Sequence, residues 1–351
     1  MPFAYVTEPG ASIHLSGGSI LVRKDGVLLA EWELIHLQAL ILLGPADIST
    51  PAMTALLKAG VETAFMTTSG RLLGQLTPAK AGNVPLRLAQ YRLATDPGFR
   101  FSQAVAVVRA KLAAMSDLLE RYADNYPEVP LDEPRQSIKN LRERLDDAPD
   151  IPALMGLEGA AAAAYFKGFA MTNRSELPFC GRSTRPPKDP VNAMLSFGYV
   201  LLGNEIWSLL DALGFDPFLG FYHSVTPNRP SLALDLIEPF RHAIIDRMVL
   251  RAINLRRFQA ADFCEEDGGV LLAREASKRF LAEYERSIQS RARDPGDDRS
   301  ATWRDLIRRR CERLALGLVE ADRDSEAATR SGECSSCFSA FELDEPEEDH
   351  E

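Results

Sequence analysis

Apolar and polar positions change their period near residue 80. Before it, the apolar residues come in short runs, Phe3–Val6, Ser12–Leu15, Ser19–Arg23 and Val27–Leu34, broken by Pro9-Gly10, Gly17-Gly18 and Asp25-Gly26. Runs bounded in this way predict strands, and Lys24-Asp25-Gly26 between two of them predicts a hairpin. Leu37–Leu43 is apolar except for Gln38, the pattern of a strand buried on both faces. Ser49 or Thr50 as a cap, Pro51 in a first turn, and Met53, Leu56 and Leu57 facing inward predict one short helix. Val61–Met66 and Leu72–Leu76, around a Ser69-Gly70 turn, predict two further strands. The expected unit over 1–77 is a small β-sandwich-like domain carrying one helix.

Residues 78–85, Pro-Ala-Lys-Ala-Gly-Asn-Val-Pro, are rich in breakers and predict a linker. Beyond them the period is 3.6, which predicts helices over Leu86–Ala94, Phe101–Tyr122, Arg135–Leu145, Ile151–Met171, Pro190–Leu213, Ser231–Ala252, Ala273–Arg291 and Ala301–Glu320. Asp267-Gly268-Gly269 predicts a hairpin over 262–272. The fold class is therefore α+β in two domains, the second (86–320) larger and mostly α-helical. From 321 the chain is acidic, with little apolar content besides Phe338 and Phe341, and is expected to be a disordered tail.

Charge changes the picture more than composition does. A hydrophobic fraction of 46% and a charged fraction of 26% are ordinary for a globular chain. The net charge of −10 belongs almost wholly to the tail: residues 321–351 hold eleven acids against Arg323 and Arg330, leaving 1–320 with 38 bases and 39 acids. A near-neutral body can carry strongly basic patches, so acidity does not exclude a nucleic-acid partner. No basic flank followed by an apolar run marks the N-terminus, and no apolar stretch is read as approaching the ~18 residues of a membrane span. Five cysteines, odd in number and mostly scattered, favour reduced thiols in a cytoplasmic protein. Cys334-Ser-Ser-Cys337 has metal-ligand spacing, but no second pair stands near it.

Candidate chemistry gathers between Gly220 and Arg241. His223, Asp235 and Glu238 are metal-competent, and the two acids are spaced i,i+3 at the start of a helix announced by Pro230 and Ser231. Leu232, Leu234, Leu236, Ile237 and Phe240 surround them, so the acids are either paired, bound to a cation, or turned to water on an amphipathic face. Glu158 lies in an alanine-rich helix, on one face with Leu154, Ala161, Ala162, Tyr165 and Phe169. It is either a further ligand or the partner of an arginine from another helix. Carboxylates with a single imidazole suit Mg²⁺ or Mn²⁺, which polarise a phosphoryl oxygen and activate an oxygen nucleophile. Arg182, Arg185, Lys188, Arg229, Arg241, Arg247 and Arg251, and Arg304, Arg308, Arg309, Arg310 and Arg313 further on, could hold a phosphate backbone or form solvated faces.

Three ordered motifs resemble the CRISPR-associated endonuclease Cas1 family, the catalytic subunit of the CRISPR adaptation integrase. They are Gly156-Leu-Glu158-Gly-Ala-Ala-Ala-Ala-Ala-Tyr-Phe166, Arg185-Pro-Pro-Lys-Asp-Pro-Val-Asn192-Ala-Met-Leu-Ser-Phe-Gly-Tyr199, and Gly220-Phe-Tyr-His223 with Arg229-Pro-Ser-Leu-Ala-Leu-Asp235-Leu-Ile-Glu238-Pro-Phe-Arg241. The likeness spans about residues 3–320. It implies an N-terminal β domain that dimerises and a helical catalytic domain. Glu158, His223 and Glu238 match the metal ligands, Asp235 an additional acidic residue, and Asn192 and Tyr199 supporting positions. The implied reaction joins the 3′-hydroxyl of a double-stranded DNA fragment to a phosphodiester at a CRISPR repeat border, with metal-dependent DNA cleavage as the related activity. The implied assembly is two dimers bridged by a dimer of the small partner Cas2, sometimes with a trimming nuclease. Thr226-Pro227-Asn228 departs from the family pattern before Arg229. A DNA-binding scaffold without catalysis and a transposon integrase of the same family are the alternatives.

Overall fold

The structure is a computed structural model that describes residues 3–68, 70–78, 82–294 and 297–331. It divides into two compact units, 1–82 and 83–351.

The first unit holds β1 (Phe3–Val6), β2 (Ala11–Ser16), β3 (Ser19–Lys24), β4 (Val27–Glu33), β5 (Ala39–Leu43), β6 (Ala46–Ile48), α1 (Thr50–Ala59), β7 (Glu62–Met66) and β8 (Leu72–Leu76). The strands form two four-stranded sheets, β1-β5-β7-β8 and β4-β3-β2-β6. All of β5 is buried, and it pairs in parallel with β1 and β7, as its unbroken apolar run requires. Asp25 and Gly26 both have positive φ, which gives the β3–β4 hairpin the turn that matches strand twist. The Ser49 hydroxyl caps α1 by accepting from the Ala52 N–H. Ala52 and Leu56 bring α1 into one core with Ile13, Ile20, Leu40 and Leu42, whereas the expected inward residues Met53 and Leu57 are only half-buried. The expected Ser69-Gly70 turn includes Ser69, outside the described residues.

The second unit is mostly helical: α2 (Val84–Thr95), α3 (Pro97–Asn125), α4 (Asp132–Glu143), α5 (Ile151–Thr172), α6 (Pro190–Leu213), α7 (Ser231–Phe240) and α8 (Arg247–Asn254). A hairpin of β9 (Phe263–Glu266) and β10 (Gly269–Leu272) comes next, then α9 (Arg274–Ile288), β11 (Arg291–Asp294), β12 (Asp297–Thr302) and α10 (Trp303–Ser331). The expected single helix over Ser231–Ala252 is instead two α-helices joined by a π-helical segment, Arg241–Asp246. Pro239 lacks the amide hydrogen that would bond the Asp235 carbonyl, and the turn after it widens. Pro230 stands at the N-cap and no side chain caps α7. The Ser231 hydroxyl donates to the Ser224 carbonyl instead.

Two expectations need correcting. α6 is 24 residues long and contains an 18-residue stretch with a mean hydropathy of 1.3, enough by length and composition to cross a membrane. Half of that stretch is buried, because α6 is packed against α7 and α10 and supplies core side chains such as Met194, Leu195, Leu202 and Ile206. The segment expected to lose structure from 321 is helical through Ser331, and Asp322 is 3.0 Å from Arg92 on α2. Cys334 and Cys337 lie outside the described residues. Cys180, Cys264 and Cys311 are free thiols.

Candidate active site

The site is built on a turn, residues 220–223, held by one carboxylate. Asp235, fully buried on α7, accepts from the Phe221 and Tyr222 N–H groups through Oδ2 (2.7 and 3.0 Å) and from the His223 N–H through Oδ1 (2.9 Å). Oδ1 also accepts from His223 Nδ1 at 2.8 Å. An ionised carboxylate can only accept, so Nδ1 carries the proton and the Nε2 lone pair is directed away. His223 Nε2 is 3.8 Å from Glu238 Oε1. The loop leading in is fixed from α2 and α3. Gln90 donates to the Asp216 and Leu219 carbonyls, and Arg100 donates to the Phe221 carbonyl.

The turn needs a glycine at 220 because Asp235 comes so close: a Cβ there would stand 2.6 Å from Asp235 Oδ2 and 2.9 Å from the Ser231 carbonyl oxygen. Both obstacles are anchored. Gly220→Ala is therefore expected to cost about 1–3 kcal/mol by overpacking and to loosen His223. Urea unfolding together with the His223 imidazole NMR resonances would check it, and a wild-type midpoint with unmoved resonances would refute it.

Glu238 and Glu158 complete the cluster from α7 and α5. Glu238 is 1% exposed and Glu158 stands at the rim. Lys111, on the apolar face of α3 and 6% exposed, pairs with both: its Nζ contacts Glu158 Oε1 and lies 2.7 Å from Glu238 Oε2. The other Glu158 oxygen accepts from the Tyr222 hydroxyl at 2.8 Å, and Arg241 Nη1 is 3.4 Å from Glu238 Oε1. Burial alone would raise the Glu238 pKa, but Arg241, Lys111 and His223 outweigh it and hold the carboxyl at about 2. Burial and the Glu158 charge push the Tyr222 phenol up, so it remains a donor. Neither acid of α7 faces water, and the partner of Glu158 is a lysine rather than an arginine.

The expected site residues separate into two groups. Glu158, His223, Asp235, Glu238 and Arg241 come together. Tyr199 adjoins them, its ring between the Arg182 and Arg241 guanidiniums (5.2 and 5.0 Å) and its hydroxyl donating to the buried Asp246 at 2.5 Å. Asn192 is buried at the start of α6, where it accepts from Arg182 and the Ser183 N–H and donates to the Gly181 carbonyl, tying down the loop before the helix. Arg185 and Arg229 are exposed on loops, and Arg308 is exposed on α10. Lys111 and Tyr222 were missed. The available signal was a lysine inside the apolar stripe Val107, Val108, Leu112 and Met115.

Oxygen donors from Glu158 and Glu238 with the Nε2 of a carboxylate-anchored histidine suit a hard divalent cation. Glu238 Oε2 fits this use: it is buried and is held by Lys111 at 2.7 Å more by charge than by a well-directed hydrogen bond. Among the described residues, no three His, Cys, Asp or Glu side chains stand as a ligand cage, and the two glutamates close on Lys111.

Residues 4–286 match the family described as CRISPR associated protein Cas1. A CRISPR-associated endonuclease Cas1 from Thermus thermophilus is 32% identical over 305 residues, covering 86% of this chain and 90% of the relative. A Cas4 exonuclease/Cas1 endonuclease fusion from Geobacter sulfurreducens is 33% identical over 311 residues, and this chain spans only 56% of its length. Among solved structures, a Cas1 protein from Thermotoga maritima superposes with a TM-score of 0.78 at 23% identity, covering 91% of this chain and 97% of that one. A casposase bound to integration product gives 0.79 at 23% identity, with 91% of each chain covered. These two likenesses show the fold: a β-rich region followed by a mostly helical domain. The match across most of the chain, and relatives above 30% identity over five-sixths of it, show that the protein belongs to the Cas1 family.

Proposed function

We propose that this chain is a divalent-metal-dependent DNA integrase and endonuclease. It would join the 3′-hydroxyl of a short duplex to a phosphodiester at a CRISPR repeat border. The observation that supports the reading is that Glu158 and Glu238 meet at Lys111, with His223 Nε2 3.8 Å from Glu238 Oε1 and Asp235 accepting from the imidazole Nδ1. Glu158, Glu238 and His223 Nε2 would hold Mg²⁺ or Mn²⁺, which when bound polarises the phosphoryl oxygens and activates the attacking hydroxyl. By accepting from Nδ1, Asp235 orients the imidazole so that Nε2 is its ligand atom. Tyr222 orients Glu158 by donating to its outer oxygen, and Arg241 sets a positive charge beside Glu238 where a phosphate would approach. The exposed Arg185, Arg229 and Arg308 suit sequence-independent contacts to the DNA backbone. A homodimer through the β domain, a small Cas2 partner and a trimming nuclease complete the proposal. The nuclease draws support from relatives named as Cas4 exonuclease/Cas1 endonuclease fusions.

The test is strand transfer of a labelled 3′-hydroxyl duplex into a supercoiled plasmid bearing the repeat. It is run with Cas2, in Mg²⁺ or Mn²⁺ against EDTA, with Glu158→Ala as a control. Metal-dependent joining is expected, and His223→Ala should lower it about 100-fold or more, the equivalent of ~3 kcal/mol at the transition state. DNA affinity should change little, because phosphate contacts supply most of it. A His223→Ala enzyme that joins DNA at the full rate would refute the site. Binding without joining, despite confirmed partner assembly, would favour a scaffold.

A further inference from the structure

Lys111 stands where a ligand set for a cation would place its cation. Its Nζ touches one oxygen of Glu158 from α5 and one of Glu238 from α7, the two carboxylates proposed as metal ligands. We propose that Lys111 is the site's resident cation: its ammonium bridges Glu158 and Glu238 in the metal-free enzyme and is displaced when a divalent cation binds. Metal uptake is then an exchange of one cation for another. The inference rests on the metal-site reading above and concerns how that site is kept assembled.

Three observations carry it. First, two carboxylates from different helices repel at this spacing, and Lys111 contacts both; the Arg241 and His223 contacts reach Glu238 alone. Second, Lys111 is nearly buried on the face of α3 that also carries Val107, Val108, Leu112 and Met115, a position that would be costly for a charge without two acids to receive it. Third, Lys111 holds Glu238 Oε2 at 2.7 Å more by its charge than by a well-directed hydrogen bond. Lysine suits such a place better than arginine, because a point charge on a flexible stem can withdraw, whereas a planar fork would lock both carboxylates.

The test uses the full chain and Mn²⁺ as the probe. Mn²⁺ binding is measured by electron paramagnetic resonance and calorimetry in wild type, Lys111→Met, Lys111→Arg and Glu238→Gln, with melting curves in EDTA. Glu238→Gln identifies the signal from this site by its loss. Lys111→Met is expected to bind Mn²⁺ about tenfold tighter or more, since no resident charge opposes the ion. It should also melt several degrees lower in EDTA, a deficit that Mn²⁺ removes. Lys111→Arg should melt near the wild type and bind Mn²⁺ more weakly, which keeps the test decisive if the methionine variant folds poorly. Equal or weaker Mn²⁺ binding by Lys111→Met, beside an intact wild-type signal, would overturn the exchange. Absence of any Glu238-dependent Mn²⁺ signal in the wild type would overturn the metal reading itself, and the exchange with it.

Discussion

Glu238→Gln should lower strand transfer by about 100- to 1000-fold, the range seen when one charged or polar stabiliser of a phosphoryl or acyl transition state is removed. Glutamine keeps the shape of the side chain and removes the charge on which Lys111, Arg241 and His223 converge. The same substitution should cost stability, with about 3–5 kcal/mol as an upper bound for breaking a buried pair; Glu158 still receives Lys111, so the loss should fall below it. The pH dependence has a definite sign. Glu238 is depressed from an ordinary 4.5 to about 2 in the folded chain, so the stability its charge supplies is complete above about pH 5 and fades as pH falls towards 2. The difference in unfolding free energy between wild type and Glu238→Gln should shrink over that window. Single-turnover joining assays and urea titrations at several pH values would check both, and a variant with wild-type turnover would dismiss Glu238 from the chemistry.

Asp235→Asn should be nearly as damaging, by a different route. The native carboxylate accepts from three backbone N–H groups and one imidazole N–H, and both of its oxygens are in use. An asparagine has one oxygen, and its amide group would set hydrogens against hydrogens. One or two backbone donors, depending on which way the amide faces, would be left without an acceptor in a buried place, at about 1–3 kcal/mol each. With no acceptor required at Nδ1, the imidazole can place its proton on Nε2 and cease to be a ligand, a loss of about 10- to 100-fold in metal affinity by analogy with other second-sphere carboxylates. Guanidinium unfolding and Mn²⁺ titration would measure the two effects. A variant with undiminished Mn²⁺ affinity would show that Asp235 does not act through the histidine.

What could be read from the sequence followed the strength of local pattern. Runs such as Ala39–Leu43 and caps such as Ser49 are determined by neighbours in the chain, and they stand where expected. His223, Asp235 and Glu238 were legible because they sit close together in one segment. Lys111 was not, because its acid partners Glu158 and Glu238 are far from it in the chain, the nearer of them 47 residues away; only the chain's return through α5 and α7 brings them together. The i,i+3 spacing of Asp235 and Glu238 correctly predicted proximity but not the division of labour, which depends on where the 220–223 turn crosses the helix. The β11–β12 hairpin escaped notice because Arg291–Asp294 and the strand that follows are charged and lack apolar alternation. The widened turn after Pro239 carries no periodicity signal of its own.

That widened turn has a consequence for any residue numbered beyond it. From Ser231 to Asn254 the chain looks like one rod, yet it contains two helical wheels set out of phase by the π-helical segment. The first wheel aims Glu238 at Lys111, and the second starts from Asp246, which collects the hydroxyls of Tyr165 and Tyr199 and the ring of His242. Gly198 makes room for this offset, since a Cβ there would stand 2.5 Å from the Ile245 methyl. The phase shift thus gives one length of chain two separate points of aim, a chemical one before residue 241 and an architectural one after it.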